Sequence, residues 1–204
     1  MSSEGTRKIA DILKELDQRA AYALIDKKYD EALNIYREIL RAQEGLGLEK
    51  LSGHTLLNMA NICMLKGEFE EALSVIDRAS KLKSLQKDDI DRGNLEIFRA
   101  NSLFLLERSG EAENVLLQEL KKNRNSTSCG QMEMLLFHHY RREKKNAKAR
   151  GIVDKAIGHF KAGHNKEELI RALRGRVQYF LAAGQKMYAE LDLAEIKNIE
   201  ERGA

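Results

Sequence analysis

A small residue returns along this chain at an almost constant interval, and this period limits the folds that are open to it. The recurring alanines are Ala32, Ala72, Ala112, Ala149 and Ala189, which lie 40, 40, 37 and 40 residues apart. In the first three copies another alanine stands twelve positions earlier, at Ala20, Ala60 and Ala100. A fixed period of this length is typical of a stacked array of repeats, in which each unit covers the apolar face of its neighbour.

Each copy of the repeat predicts two helices joined by a short turn. In the second copy, one apolar stripe at helical spacing runs from Leu56 to Cys63, a turn follows at Gly67, and a second stripe begins at Ala72. The chain has no proline and is rich in strong helix formers, whereas strands have little support. Small residues at the two alanine positions allow the paired helices to approach closely. Copies four and five carry Phe137 and Val177 instead, so we expect those pairs to pack wider or to rotate.

The periodicity predicts ten helices in five repeats. The repeats span about 5–47, 51–84, 88–123, 128–162 and 166–201, and the helices are predicted over 5–26, 29–47, 51–66, 69–84, 88–107, 110–123, 128–144, 146–162, 166–183 and 185–201. Turns are predicted at Gly67, Gly110, Asn146 and Gly184, and Asn165 is a candidate cap for the helix that follows it. No segment has the composition of a linker, so we expect a single domain over residues 1–204.

The second copy carries a recognisable pattern of residues. Its order is Asn58, Ala60, Asn61, Gly67, Phe69 and Ala72, which resembles the tetratricopeptide repeat family, and the resemblance extends over nearly the whole chain. A period of about 40, longer than the usual 34 or so, looks more like the long-repeat branch with kinesin light chains, LGN-type spindle adaptors and bacterial peptide-responsive regulators. The missing tryptophan, the missing proline after each second helix and two degenerate repeats depart from the pattern. The resemblance implies an all-α, right-handed α-solenoid of antiparallel helices.

The sequence offers little that points to catalysis. The glycines of "GLGLEKLSG" lack the Lys-Ser/Thr ending of a phosphate-binding loop, and no metal-binding His or Cys motif is present. The neighbours His138 and His139 point about 100° apart on a helix, so they are poorly placed to hold one ion. Cys129 and His138 are candidates for a thiol–imidazole pair, but no third group is evident to orient the imidazole. We therefore expect a non-enzymatic protein without cofactor or metal, with Cys63 and Cys129 as reduced thiols.

The chain also lacks the segments that would direct it to a membrane. The N-terminus "MSSEGTRKIADILKEL" has no apolar run of the signal-peptide kind, and no stretch approaches the roughly 20 apolar residues of a membrane-spanning helix. With a formal net charge of only +3, the composition does not by itself indicate a nucleic-acid partner. These features predict a cytoplasmic protein.

In a helical solenoid the first helix of each repeat lines the concave face, and this predicts which residues meet a ligand. The candidates lie six and three residues before the small-residue position and one and four after it. They are His54, Leu57, Asn61, Met64, Asn94, Ile97, Asn101, Phe104, Met134, His138, Arg141, Arg171 and Arg174, with Arg142 alongside Arg141. The middle of this predicted groove is apolar and its C-terminal end is basic.

Two of these candidates occupy equivalent positions in successive repeats. In the families that the chain resembles, asparagines placed like Asn61 and Asn101 hydrogen-bond the backbone of a bound peptide, and the resemblance implies that role here. An amide side chain offers a donor and an acceptor together, which matches a peptide unit. Alternatively, each asparagine bonds a carbonyl of a neighbouring helix or only water.

The basic end of the predicted groove suggests an acidic ligand. Arginine binds carboxylates through two parallel hydrogen bonds, so we predict a peptide with an apolar segment followed by acidic residues. The alternative is a solvated face whose arginines pair with Glu133, Glu143 and Glu168. The leading prediction is thus a scaffold or adaptor that binds another protein.

Three further possibilities stay open. One is a nucleic-acid-binding repeat protein that uses the basic end, although that electrostatic footprint is thin. Another is a peptide-sensing regulatory module. Finally, the last helix carries Leu191, Leu193, Ile196 and Ile199 with nothing after it in this sequence to cover them, which suggests a homodimer through this end.

Overall fold

The computed structural model describes residues 3–202, and every regular element within that range is an α-helix. The helices are α1 (Ser3–Ile25), α2 (Tyr29–Gly45), α3 (Glu49–Lys66), α4 (Phe69–Ser80), α5 (Lys83–Lys87), α6 (Asp89–Leu105), α7 (Ser109–Lys122), α8 (Ser126–Arg142), α9 (Asn146–Ala162), α10 (Lys166–Ala182) and α11 (Lys186–Glu201). The all-α prediction is confirmed, and most predicted helix ends lie within about two residues of the observed ones.

The short helix α5 was not predicted, because the apolar pattern of α4 runs on without a glycine or proline to interrupt it. The chain instead leaves α4 at Ser80 and forms α5, whose Leu85 is fully buried. Leu85 lies against α3 at Gly53, where an added Cβ would stand 2.7 Å from the leucine side chain. The Asp88 carboxylate then caps α6 by accepting from the backbone N–H groups of Ile90 and Asp91.

Two of the predicted turn residues lie inside helices. Gly110 is the second residue of α7 and Asn146 is the first residue of α9. The left-handed backbone conformation that ends the preceding helix belongs to Glu107 and Lys144, with φ of 60° and 56°. The sequence pattern missed them because glycine is the residue normally favoured there, as at Gly67 with φ of 81°.

The chain forms two compact units, and helix α7 carries the end of one and the start of the other. The first unit ends at Ala112 and the second begins at Glu113. In the first unit, α1 packs on α2 and α3 packs on α4, while α2 also contacts α3 and α4 contacts α6. The repeat alanines of these pairs have no exposed surface, as the sequence predicted: they are Ala20, Ala32, Ala60 and Ala72.

The second unit packs its helices with larger side chains at some of the repeat positions. Helix α8 packs on α9, α9 on α10, and α10 on α11. Phe137 takes the place of the first alanine of its repeat and is fully buried. The room that it needs comes from α10, where an added Cβ at Gly175 would lie 3.2 Å from the Phe137 ring. Gly130 makes similar room for the fully buried Phe160 of α9.

The contact between Gly130 and Phe160 can be tested by adding one methyl group. In Gly130→Ala, the new Cβ would lie 2.6 Å from Phe160 Cε1, and the buried ring has little space to move. We expect the free energy of unfolding to fall by about 1–3 kcal/mol, as is usual for overpacking. Urea unfolding followed by circular dichroism measures this change.

The matched control is Gly158→Ala in α9, where nothing lies within 4 Å of the added Cβ. Alanine suits a helix better than glycine, so this variant should gain about 0.5–1 kcal/mol. Equal stability of the two alanine variants would contradict the described packing of α8 on α9.

Candidate functional site

Six predicted ligand-contacting residues of the first unit lie on the neighbouring helices α3 and α6 and are together called the asparagine surface. It comprises His54, Asn61 and Met64 of α3 with Asn94, Ile97 and Asn101 of α6. The two helices are in contact. His54 and Asn61 are exposed, and the other four side chains are half-buried. The surface therefore combines accessible amides with partly exposed apolar groups.

The amide side chains of this surface are not used by the described part of the fold. The side chains of Asn61, Asn94 and Asn101 form no hydrogen bond with any residue in the described range 3–202. A bond to the carbonyl of a neighbouring helix, which was the alternative role for Asn61 and Asn101, is thus not observed within that range. Each amide presents both a donor and an acceptor to the solvent.

Two predicted contact residues lie below the asparagine surface. Leu57 is 6% exposed and Phe104 is 8% exposed, so both belong to the packed interior. The positional rule gave the direction of each side chain along its own helix, whereas burial depends on what the surrounding helices place above it. We expect these residues to support the surface rather than to touch a ligand.

A buried carboxylate organises one edge of the asparagine surface. Asp91 of α6 is 7% exposed and lies between Lys50 and His54 of α3, with Asp91 Oδ2 2.9 Å from Lys50 Nζ and Asp91 Oδ1 3.0 Å from His54 Nε2. Burial acts to raise the pKa of Asp91, but the hydrogen bonds from Lys50 and His54 outweigh it and the pKa is lowered. The ion pairs join α3 to α6 and fix the orientation of His54.

Sequence reasoning did not identify Asp91. An acidic residue in the first turn of a helix is ordinarily explained by capping and by the helix dipole. Its partners His54 and Lys50 lie 37 and 41 positions earlier in the chain, so no pattern within one helix indicates the cluster.

The second unit carries the remaining predicted contacts on another surface, here called the arginine surface. It comprises His138, Arg141 and Arg142 of α8 with Arg171 and Arg174 of α10. Met134, also predicted there, is buried at 9% exposed. Its methyl carbon would lie 3.6 Å from a Cβ added to Gly175, so it fills space between α8 and α10.

Half of the predicted arginines already have carboxylate partners. Arg171 Nη1 lies 3.0 Å and 3.1 Å from the two carboxylate oxygens of Glu168, and Arg174 Nη2 lies 3.0 Å from Glu200 Oε1. Both pairs are exposed, so each contributes little stability.

Arg141 and Arg142 differ from these two, since neither makes an ion pair in the described part of the chain. The guanidinium of Arg141 lies 5.5 Å from the centroid of the Phe137 ring instead. Of the glutamates considered as alternative partners, Glu168 does pair with an arginine of this surface, whereas Glu133 pairs with His159.

Arg176 of α10 was missed by the sequence analysis and has a structural part. Its Nε and Nη2 lie 2.8 Å and 2.6 Å from the two oxygens of the buried Asp192 in α11, and its Nη1 lies 2.5 Å from Asp154 Oδ1 in α9. Burial acts to lower the pKa of Arg176, but the two carboxylates overcome this and raise it. This fork joins three helices, so Arg176 is not available to a ligand.

The adjacent histidines of α8 face different surroundings. His138 is exposed and His139 is 4% exposed. Across residues 3–202, no group of three His, Cys, Asp or Glu side chains is placed to hold a metal ion. No helix in the same range is both long enough and apolar enough to span a bilayer.

Comparison with known proteins agrees with this architecture. Residues 55–89 match the family model for a tetratricopeptide repeat. The fold is similar to that of BtubC (BKLC) from P. vanneervenii, with a TM-score of 0.76 and 17% identity over 98% of this chain and 87% of that one. The comparison with curated proteins found no match.

Two other solved structures show the same likeness. The apo form of RapI has a TM-score of 0.71 at 13% identity, over 96% of this chain and 58% of that one. A P. anserina protein described as a kinesin light chain with nearly identical TPR-like repeats has a TM-score of 0.67 at 15% identity. The match covers 94% of this chain and 95% of that one. The resemblance to tetratricopeptide repeat proteins is therefore confirmed. Such proteins are generally non-enzymatic scaffolds for protein–protein interactions.

The Asp91 cluster predicts a pH-dependent contribution to stability. Because the folded-state pKa of Asp91 is lowered, its carboxylate stabilises the fold above its unfolded pKa of about 3.9, and this contribution is lost as pH falls through the folded-state pKa. We expect Asp91→Asn to lower the free energy of unfolding at pH 7 by about 1–3 kcal/mol. Below about pH 4 the difference from wild type should shrink.

Urea unfolding at pH 7 and at pH 3 measures this difference. The control is Asp26→Asn, which removes an exposed carboxylate paired with Lys28 and should change stability by less than about 0.5 kcal/mol. A loss in Asp91→Asn that is as large at pH 3 as at pH 7 would show that the charge of Asp91 is not what stabilises the contact.

Proposed function

We propose that this chain is a non-enzymatic interaction module that binds segments of a partner protein. The observation that carries the proposal is the set of three amides, Asn61, Asn94 and Asn101, that have no partner in the described part of the chain. A folded protein normally satisfies its polar groups with one another or with water. Amides left open on one face of adjacent helices are suited to the backbone of an extended peptide.

The asparagine surface favours a segment with apolar side chains. Met64 and Ile97 are half-buried beside the amides, so they retain apolar area that a bound peptide would cover. Backbone recognition by the amides supplies affinity with little dependence on sequence, and the apolar groups supply preference.

The arginine surface favours an acidic segment. Arg141 and Arg142 have no carboxylate partner within residues 3–202, so a ligand carboxylate would not have to displace an existing ion pair. Arg171 and Arg174 would have to exchange Glu168 and Glu200 for the ligand, and we expect them to contribute less. The sequence has two cysteines, both buried and neither in a disulfide, which fits a reducing compartment, and we place the protein in the cytoplasm.

Peptide selection tests both surfaces. A library with four varied apolar positions followed by four positions of Asp or Glu is selected on the wild-type chain, and the affinities of selected peptides are measured by fluorescence anisotropy. We expect Asn61→Ala combined with Asn101→Ala to weaken binding by about tenfold or more, because hydrogen bonds to the peptide backbone are lost. Arg141→Glu combined with Arg142→Glu should weaken it at least as much.

Each variant has a matched control. Asn198→Ala removes an exposed amide of α11, and Arg19→Glu combined with Arg41→Glu reverses two exposed charges of α1 and α2. Both controls should bind selected peptides like the wild type, and circular dichroism verifies that all variants are folded. Affinities that respond equally to the surface variants and to their controls would contradict the assignment of these surfaces.

We also propose self-association through α11. Of the four residues that suggested a dimer, Ile196 is buried and Ile199 is half-buried, so these two pack inward. Leu191 and Leu193 are 61% and 51% exposed, and Met187 is 63% exposed. Most surface leucines need no explanation singly. Met187 and Leu191 are four residues apart and share one face of α11, whereas Leu193 lies on another face of the helix.

The charges of α11 favour a second copy as the occupant. Glu190, Leu193 and Lys197 are exposed and, at i, i+3 and i+7, share one face of the helix. If two copies of α11 pack antiparallel on this face, Glu190 of each copy lies opposite Lys197 of the other, and the two Leu193 side chains meet between them.

Sedimentation velocity at micromolar concentrations measures the association. We expect a dimer in equilibrium with monomer for the wild type, and monomer for Leu193→Glu because a charge is placed in the contact. The control Ile12→Glu, at an exposed position of α1, should associate like the wild type. Monomer alone in the wild type would overturn this proposal and would leave the peptide-binding proposal unaffected.

A further inference from the structure

A pocket of about 680 Å³ opens in the second unit, apart from the arginine surface. Its walls come from α7 and α9, and α8 contributes the floor together with the segment that joins α7 to α8. A volume in the range of a few hundred Å³ is typical of sites for small molecules. None of the residues predicted to contact a peptide lines it.

Basic side chains from three parts of the chain line this pocket. Lys121 comes from α7, Arg124 from the connecting segment, and Lys155 and His159 from α9. Neither Lys121 nor Lys155 makes an ion pair among the described residues, although lysines on helices commonly do. Lys155 is close enough to Glu133 to act on the pKa of that carboxyl and lower it, so the lysine charge left without any nearby carboxylate is that of Lys121.

The one carboxylate among the described lining residues is Glu133, and it is already occupied. Glu133 is 3% exposed, and its Oε2 lies 2.7 Å from His159 Nδ1. This hydrogen bond uses Nδ1 of His159 and leaves Nε2 on the opposite edge of the imidazole. The His159 side chain is 39% exposed. Glu133 therefore orients His159, and its charge acts on both the imidazole and Lys155.

We propose that this pocket binds a small phosphate-bearing anion. Lys121 and Lys155 would supply charge from opposite walls, while His159 Nε2 and the Ser126 hydroxyl would supply directed hydrogen bonds. Lysine acts as a point charge with rotatable donors, which suits a tetrahedral group with several equivalent oxygens. The bound anion would link α7 to α9, so it would also hold two walls of the unit together.

Pyrophosphate is the probe for this site. Isothermal titration calorimetry of the full chain is run at constant ionic strength, set with sodium chloride, so that general screening does not change along the titration. We expect one saturable site in the wild type. Lys121→Gln combined with Lys155→Gln should weaken the affinity by about tenfold or more, because two charged contacts are removed.

The control has the same change in net charge at another place. Lys166→Gln combined with Lys186→Gln removes two exposed lysines at the starts of α10 and α11, outside the pocket. Its affinity for pyrophosphate should equal that of the wild type. Equal weakening in both double variants would show that only net charge matters, and it would overturn the site.

A spectroscopic measurement on the wild type does not depend on any variant. In the proton NMR spectrum, the resonance of the Cε1 proton of His159 should shift on addition of pyrophosphate. The change in chemical shift should saturate at the stoichiometry found by calorimetry. An unchanged His159 signal, or no saturable heat in the wild type, would also overturn the proposal. Because Lys121 and Lys155 belong to neither peptide-binding surface, selected peptides should bind the pocket variant normally, which separates this test from that of the proposed function.

Discussion

The close approach of paired helices at the repeat alanines is the contact on which the rest of the first unit depends. Ala20, Ala32, Ala60 and Ala72 have no exposed surface, so at these points side chains of one helix lie directly against the next. A larger side chain would push the axes apart and would break the apolar stripes on both sides. The second unit satisfies the same requirement differently, because Phe137 is accommodated where α10 has Gly175. Once the helices are packed in this way, the faces of α3, α6, α8 and α10 that do not contact another helix can carry polar groups.

The polar groups fall into two classes according to whether the fold uses them. Asp91 and Arg176 are enclosed between helices and meet opposite charges, so their removal would leave buried charge unpaired. Asn61 and Arg141 lie on helices of the same kind but meet no polar partner in the described residues. The two classes cannot be told apart by residue type or by position in the repeat. Only groups of the second class can bind a ligand without breaking contacts that hold helices together.

The candidate surfaces show which properties of a residue can be predicted from its position in the repeat and which cannot. The period places Asn61 and Asn101 at equivalent positions, and in the structure Asn61 is exposed and Asn101 half-buried. The same rule placed Leu57 and Phe104 on that surface, yet they are buried, because their exposure depends on the packing of other helices. The pocket beside Lys121 was missed altogether. Its walls come from helices that are separated in sequence, and each lining residue by itself is an ordinary surface residue.

The sequence by itself determined the class of fold and nearly every helix boundary. It does so because helical periodicity and small-residue spacing are local properties, readable within one turn or one repeat. The tertiary structure alone decided that Leu85 folds into an extra helix against Gly53, that Asp91 joins α3 to α6, and that Glu133 meets His159 rather than an arginine. These contacts join residues 26 to 41 positions apart. Which of them form depends on the angle and rotation of packed helices, which no local pattern encodes.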